Sequence, residues 1–208
     1  MDSFADTLWR RNQDTAEAAL HHPFLRGIAS GKLPRAAFAH YVGQDAAFLD
    51  AYCRAYALGS AKSPDREGVM VFKTLLDAAV EELALHRGYA DRWGVDLDPP
   101  IGAATAAYTD FILAVAALEP VGHIAAAMAP CLRLYSYLGQ QLNPHTQPGN
   151  PFREWVTTYS DPEFEKLAER LEGLVDRYGG DSKRMTFLYG RGMELEMQFF
   201  SSCAQGVS

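Results

Sequence analysis

AAFAHYVGQDAAFLDAYCRAYALG, residues 36–59, reads as one long helix. Apolar and aromatic residues recur in it at three-, four- and seven-residue intervals, and no alternating strand pattern breaks the run. At about 100° per residue, Tyr41, Asp45, Phe48, Leu49 and Tyr52 share one face. Pro34 stands where the helix opens, at a first helical position that tolerates its missing N–H. Gly59 marks the expected end. Such a helix, apolar on more than one side, belongs inside a multi-layer bundle.

The same periodicity continues in both directions. Towards the N-terminus, a helix is expected from Ser3 through Leu20, carrying Phe4, Leu8, Trp9 and Ala16, and Pro23 restarts the chain into PFLRGIASG. Towards the C-terminus, Ser63-Pro64-Asp65 opens VMVFKTLLDAAVEELALHRGYADRW, which Gly94 closes. TAAYTDFILAVAALE follows, and then a helix from Pro120 to about Leu142. After the loop NPHTQPGNP, PFREWVTTY passes into PEFEKLAERLEGLVDRY, and SKRMTFLYGRGMELEMQFFSSC comes last. No repeat or linker divides these segments. The expectation is an all-α chain, residues 1–208 forming a single-domain bundle of about eight helices.

Composition narrows the function. Nineteen Lys+Arg against 26 Asp+Glu give a net charge of -7, with no basic run. That balance argues against nucleic acid as a partner, because phosphate binding needs a cationic surplus. Asp2 and Asp6 stand where a signal peptide would be basic and then apolar. The longest apolar segment, Phe111 to Leu118, is far short of a membrane span. Cys53, Cys131 and Cys203 are odd in number and lack metal-ligand spacing. A reduced, cytoplasmic protein without membrane contact is expected.

Candidate chemistry lies where polar groups interrupt apolar stripes. Asp45 falls between Tyr41 and Phe48, whereas Asp50 lies off that face. Glu196 falls in the stripe Tyr189, Gly192, Phe199 and Cys203, while Glu194 points the other way. A carboxyl group so enclosed has a raised pKa and suits acid–base work near neutrality. Cys131 shares a face with Met128, Tyr135, Leu138 and Leu142, directly after the helix-interior Pro130. Taken alone it reads as an inert buried cysteine; as a nucleophile it needs a nearby base. Glu82 and His86, one turn apart, either stabilise their helix or ligate a metal, and the paired Glu-x-x-His motifs of a di-iron bundle are lacking.

Together HPFLRGIASGKL (22–33), FAHYVGQDAAFL (38–49), PCLRLYSYLG (130–139), NPFREWVTTYSDPEFEKL (150–167) and ELEMQFF (194–200) resemble the TenA family, the thiaminase II proteins of the haem-oxygenase-like fold. The resemblance runs from about residue 5 to 203. It implies an aminopyrimidine aminohydrolase that releases 4-amino-5-hydroxymethyl-2-methylpyrimidine from the 5-aminomethyl base or from thiamin, in thiamin salvage. Cys131 in the P-C-x-x-x-Y segment is then the nucleophile, Asp45 of the Gln44-Asp45 pair holds the amino edge, and Glu196 of E-x-x-F moves protons. Tyr108, Tyr135, Tyr159, Phe48 and Phe199 stack on or border the ring.

The resemblance also implies a homotetramer with no metal and no cofactor. Ala46 and Ala47 depart from the aromatic-rich segment common after the family's aspartate, so a ring hydroxyl often found there is missing. Two other readings attach to the fold: a metal- or quinone-dependent oxidase related to haem oxygenase, and a non-enzymatic transcriptional regulator, which the net charge disfavours.

Overall fold

Prolines and glycines punctuate the chain as their backbone limits require. The structure, a computed structural model, describes residues 3–180 and 182–205. Among these residues it has ten α-helices and no strand. They are α1 (Phe4–Arg11), α2 (Gln13–Leu20), α3 (Pro23–Ser30), α4 (Arg35–Lys62), α5 (Arg66–Trp93), α6 (Ala103–Leu118), α7 (Val121–Leu142), α8 (Arg153–Tyr159), α9 (Pro162–Tyr178) and α10 (Ser182–Gln205). Gly31 and Gly94 end α3 and α5 at φ 70° and 68°, a conformation that side chains with a Cβ resist.

The count exceeds the expected eight because two segments break. The first divides at Asn12, whose side-chain Nδ2 donates to the Leu8 carbonyl at 2.8 Å and so caps the end of α1. The other divides after Tyr159: Asp161 caps α9 through the Glu163 amide at 2.8 Å, and Pro162 takes the first helical position. Pro34 lies one residue outside α4 rather than in it, and α4 runs past Gly59 to Lys62.

Two layers position the site. Helix α4 packs along α5 and α6, while α7 packs along α9, α10 and α8. One apolar core runs through both sets and includes Phe24, Phe38, Phe72, Leu134, Trp155 and Leu188. Small residues allow the closest crossings. A Cβ on Gly192 of α10 would stand 2.8 Å from the Pro130 ring of α7, so the two helices meet beside Cys131. A Cβ on Gly139 of α7 would stand 2.4 Å from the carbonyl carbon of Tyr159, so α8 lies directly on α7. No helix among the described residues is long and apolar enough to cross a membrane.

Candidate active site

Asp45 turns inward from the middle of α4 and meets His86 of α5, Oδ2 to Nε2, at 2.7 Å. Both residues are 3% exposed. The other ring nitrogen, Nδ1, is 2.9 Å from the Glu82 carbonyl, which can only accept, so Nδ1 carries a proton. Burial by itself would lower the His86 pKa; the hydrogen bond to Asp45 and its charge carry it up to about 9. His86 is therefore held as imidazolium against Asp45, and its hydrogen bonds fix the orientation of Asp45. Both nitrogens of His86 are occupied, so the i, i+4 pattern of Glu82 and His86 serves this clamp. No group of three or more His, Cys, Asp or Glu able to hold a metal occurs among the described residues.

Removing one partner leaves a buried charge alone, which costs about 3–5 kcal/mol. His86→Leu is expected to lose about that much stability in urea titration at pH 7. The intact clamp also sets a pH trend. A folded-state pKa of about 9 against an ordinary 6.5 means its contribution is complete below pH 6.5 and is lost as pH rises through 9. Glu82 and Glu196, raised to about 7 and about 8, act in the same direction because folding opposes their ionisation. The urea midpoint is expected to fall from pH 6 to pH 9, and a rise over that interval would contradict the geometry.

On the other side of the site, the Cys131 thiol of α7 and the Glu196 carboxyl group of α10 lie close enough to act on one another. The Gly192–Pro130 crossing, one turn before Glu196 and one residue before Cys131, makes that contact. Glu196 is 1% exposed and accepts a hydrogen bond from the Tyr108 hydroxyl at 2.8 Å. The Tyr52 hydroxyl lies 3.3 Å behind that of Tyr108. Burial lifts Glu196 to about 8, against the stabilising Tyr108 hydrogen bond and the neighbouring Cys131 thiol. Burial, and then the Glu196 charge, raise the Cys131 thiol well above its ordinary range. At rest the sulfur keeps its proton.

Between the two clusters lies a cavity of about 580 Å³, in the range of a small-molecule site. Asp45, Phe48, Cys131, Tyr135 and Tyr159 all line it. Glu196, Tyr108 and Phe199 do not; they stand behind the wall, with Phe48 packed against the Tyr108 ring at 4.8 Å and the Phe199 ring at 5.9 Å. Opposite, the Tyr135 and Tyr159 rings meet edge-on at 4.8 Å. The Tyr41 hydroxyl, held by Trp155 Nε1 at 3.2 Å, reaches Tyr135 at 3.4 Å.

Sequence reasoning missed two residues here. Glu82 lines the cavity and accepts a hydrogen bond from the Tyr159 hydroxyl. His86 holds Asp45. Their spacing was visible, but nothing in it pointed across to α4 or α8.

A helical bundle enclosing a ring-walled cavity, with a thiol beside a buried carboxyl group, has the make-up of an enzyme for a small flat molecule. The chain belongs to the TENA/THI-4/PQQC family, whose pattern matches residues 9–196. A protein of Halalkalibacterium halodurans named aminopyrimidine aminohydrolase is 34% identical over 183 residues, spanning 84% of this chain and 81% of that one. One of the same name from Bacillus subtilis is 30% identical over 173 residues, 80% of this chain and 72% of its own. Among solved structures, a TenA family protein described as a transcription regulator, from Silicibacter sp. TM1040, superposes with a TM-score of 0.90 at 24% identity, covering 98% and 97% of the two chains. A TenA homologue from Pyrococcus furiosus gives 0.90 at 21% identity, covering 96% and 99%. These two likenesses concern the fold.

Proposed function

We propose that this protein is an aminopyrimidine aminohydrolase with thiaminase II activity, releasing 4-amino-5-hydroxymethyl-2-methylpyrimidine from the 5-aminomethyl base and from thiamin. The observation that carries the reading is the joint placement of the Cys131 thiol and the His86-clamped Asp45 on one ring-walled cavity. The relatives named aminopyrimidine aminohydrolase support it.

The chemistry follows from where each group stands. Asp45 accepts a hydrogen bond from the amino edge of the pyrimidine and favours the protonated, more electrophilic ring. Glu196 takes the Cys131 proton from behind the wall, and the thiolate adds to the ring carbon beside a nitrogen. Adding there breaks aromaticity and lets the exocyclic C–N bond give up ammonia or thiazole. Water then adds to the exocyclic carbon and the thiolate departs. Phe48, Tyr135 and Tyr159 border the ring directly, while Tyr108 and Phe199 hold Glu196 and Phe48 in place. Neither a metal nor an organic cofactor enters this scheme. The same reading carries a homotetramer, as the sequence resemblance implies, in the cytoplasmic setting expected from the N-terminal charges and the cysteines.

Incubation with the aminomethyl base and with thiamin, followed by mass detection, tests the proposal. The hydroxymethyl pyrimidine is expected from both, with ammonia from the first and thiazole from the second. Its absence from both reactions would overturn the assignment.

A further inference from the structure

Cys131 has a carboxyl group on either side. Glu196 lies behind the cavity wall, where it accepts the Tyr108 hydrogen bond and stands beside the thiol. Glu82 lies on the wall, near enough for its charge to act on both the thiol and Asp45. Tyr159 donates to Oε1 of Glu82, and Oε2 has no hydrogen-bond partner among the described residues. Farther out on the same helix, exposed Asp77 and Glu81 mark the mouth. Glu82 therefore lines the same cavity as the sulfur, on the helix whose exposed Asp77 and Glu81 also line it.

Pyrimidine connectivity decides what meets it. The carbon bearing the departing substituent lies between the carbon bearing the amino group and the carbon that sulfur attacks. With the amino edge on Asp45 and the attacked carbon on Cys131, the substituent leaves the ring between those two residues. Glu82 and Glu196 both act on that pair, but of the two Glu82 lines the cavity and Glu196 does not.

We propose that Glu82, oriented by Tyr159, is the acid that serves the amine leaving group. This inference rests on the hydrolytic reading above. Glu82 and the substrate amine hold one ionisable proton between them, and it must be on nitrogen when the C–N bond breaks. The bonding pair then leaves with nitrogen as ammonia, and Glu82 remains as carboxylate. The pair that completes the exocyclic C=C bond comes from the π system of the ring, dearomatised but intact after sulfur addition. Water forms the new C–O bond, its proton returns to Glu82, and the ring pair is restored as the thiolate is expelled. The sum is amine plus water giving alcohol plus ammonia. Burial and the neighbouring Asp45 place Glu82 at about 7, a suitable value for an acid at neutral pH.

Thiamin supplies the control. Its thiazolium departs as a neutral thiazole, taking the bonding pair onto its own positive nitrogen, and needs no proton. Single-turnover release of ammonia and of thiazole is therefore measured for the unaltered protein and for Glu82→Gln. Ammonia release is expected to fall about 100-fold or more, and thiazole release less than about tenfold, which also reports that the variant is folded. Equal losses on both substrates, or unchanged ammonia release, would overturn the role given to Glu82. If the unaltered protein releases neither group, the hydrolytic reading itself fails, and this inference with it.

Discussion

Cys131→Ser is expected to abolish turnover of both the aminomethyl base and thiamin, with a loss of about 10⁴-fold or more while the fold persists. The loss is large because the scheme has one nucleophile. A serine hydroxyl can take the thiol's place beside Glu196 and is slightly smaller, so packing changes little. It is a far poorer nucleophile, however, and a carboxylate of pKa about 8 does not ionise it to a useful extent. Glu196→Gln leaves the thiol without its base, so the double variant should be no worse than Cys131→Ser alone. Rates on both substrates, with thermal melting as the control for folding, check this. Wild-type turnover by Cys131→Ser would exclude covalent catalysis through this residue.

Gly139→Ala is expected to harm both stability and rate. Alanine is the better helix former by about 1 kcal/mol, but its Cβ would lie 2.4 Å from the Tyr159 carbonyl carbon and 2.5 Å from the Ser160 nitrogen. Those are backbone atoms, which cannot swing aside as a side chain can. Overpacking of this kind costs about 1–3 kcal/mol, and relief requires α8 to move away from α7. Tyr159 moves with it and draws its hydrogen bond away from Glu82. A displacement of about 1 Å at a substrate-positioning group can lower the rate by about 100-fold. Gly173→Ala is the matched control: it too is helical, nothing lies within 4 Å of its added Cβ, and it should stabilise by up to about 1 kcal/mol. Urea titration and kcat for the two variants decide the matter; Gly139→Ala behaving like Gly173→Ala would remove the case for a tight α7–α8 contact.

Much of the fold could be read from local signals, because helical period and helix punctuation are local properties. The long α4 and α5 follow from their stripes and from Pro34, Asp65 and Gly94. The breaks at Asn12 and Ser160–Asp161 escaped because a polar residue and a Ser-Asp-Pro turn can sit at a helix end without disturbing the apolar stripe on either side. Asp45 and Glu196 stood out within their stripes as costly burials. His86 and Glu82 did not, since an i, i+4 pair on one helix looks the same whether it faces water or a partner helix. Burial and cavity lining also differ: Phe199 is buried as its stripe predicts and Tyr108 is buried too, yet neither lines the cavity, which only coordinates reveal.

The protonated resting state of Cys131 has a consequence beyond turnover. Peroxide and alkylating reagents attack the thiolate, and sulfenic acid forms in proportion to that species. Here burial and three surrounding carboxyl groups hold the sulfur in its unreactive form. The resting thiol is therefore expected to react slowly with peroxide and with alkylating reagents in the absence of substrate.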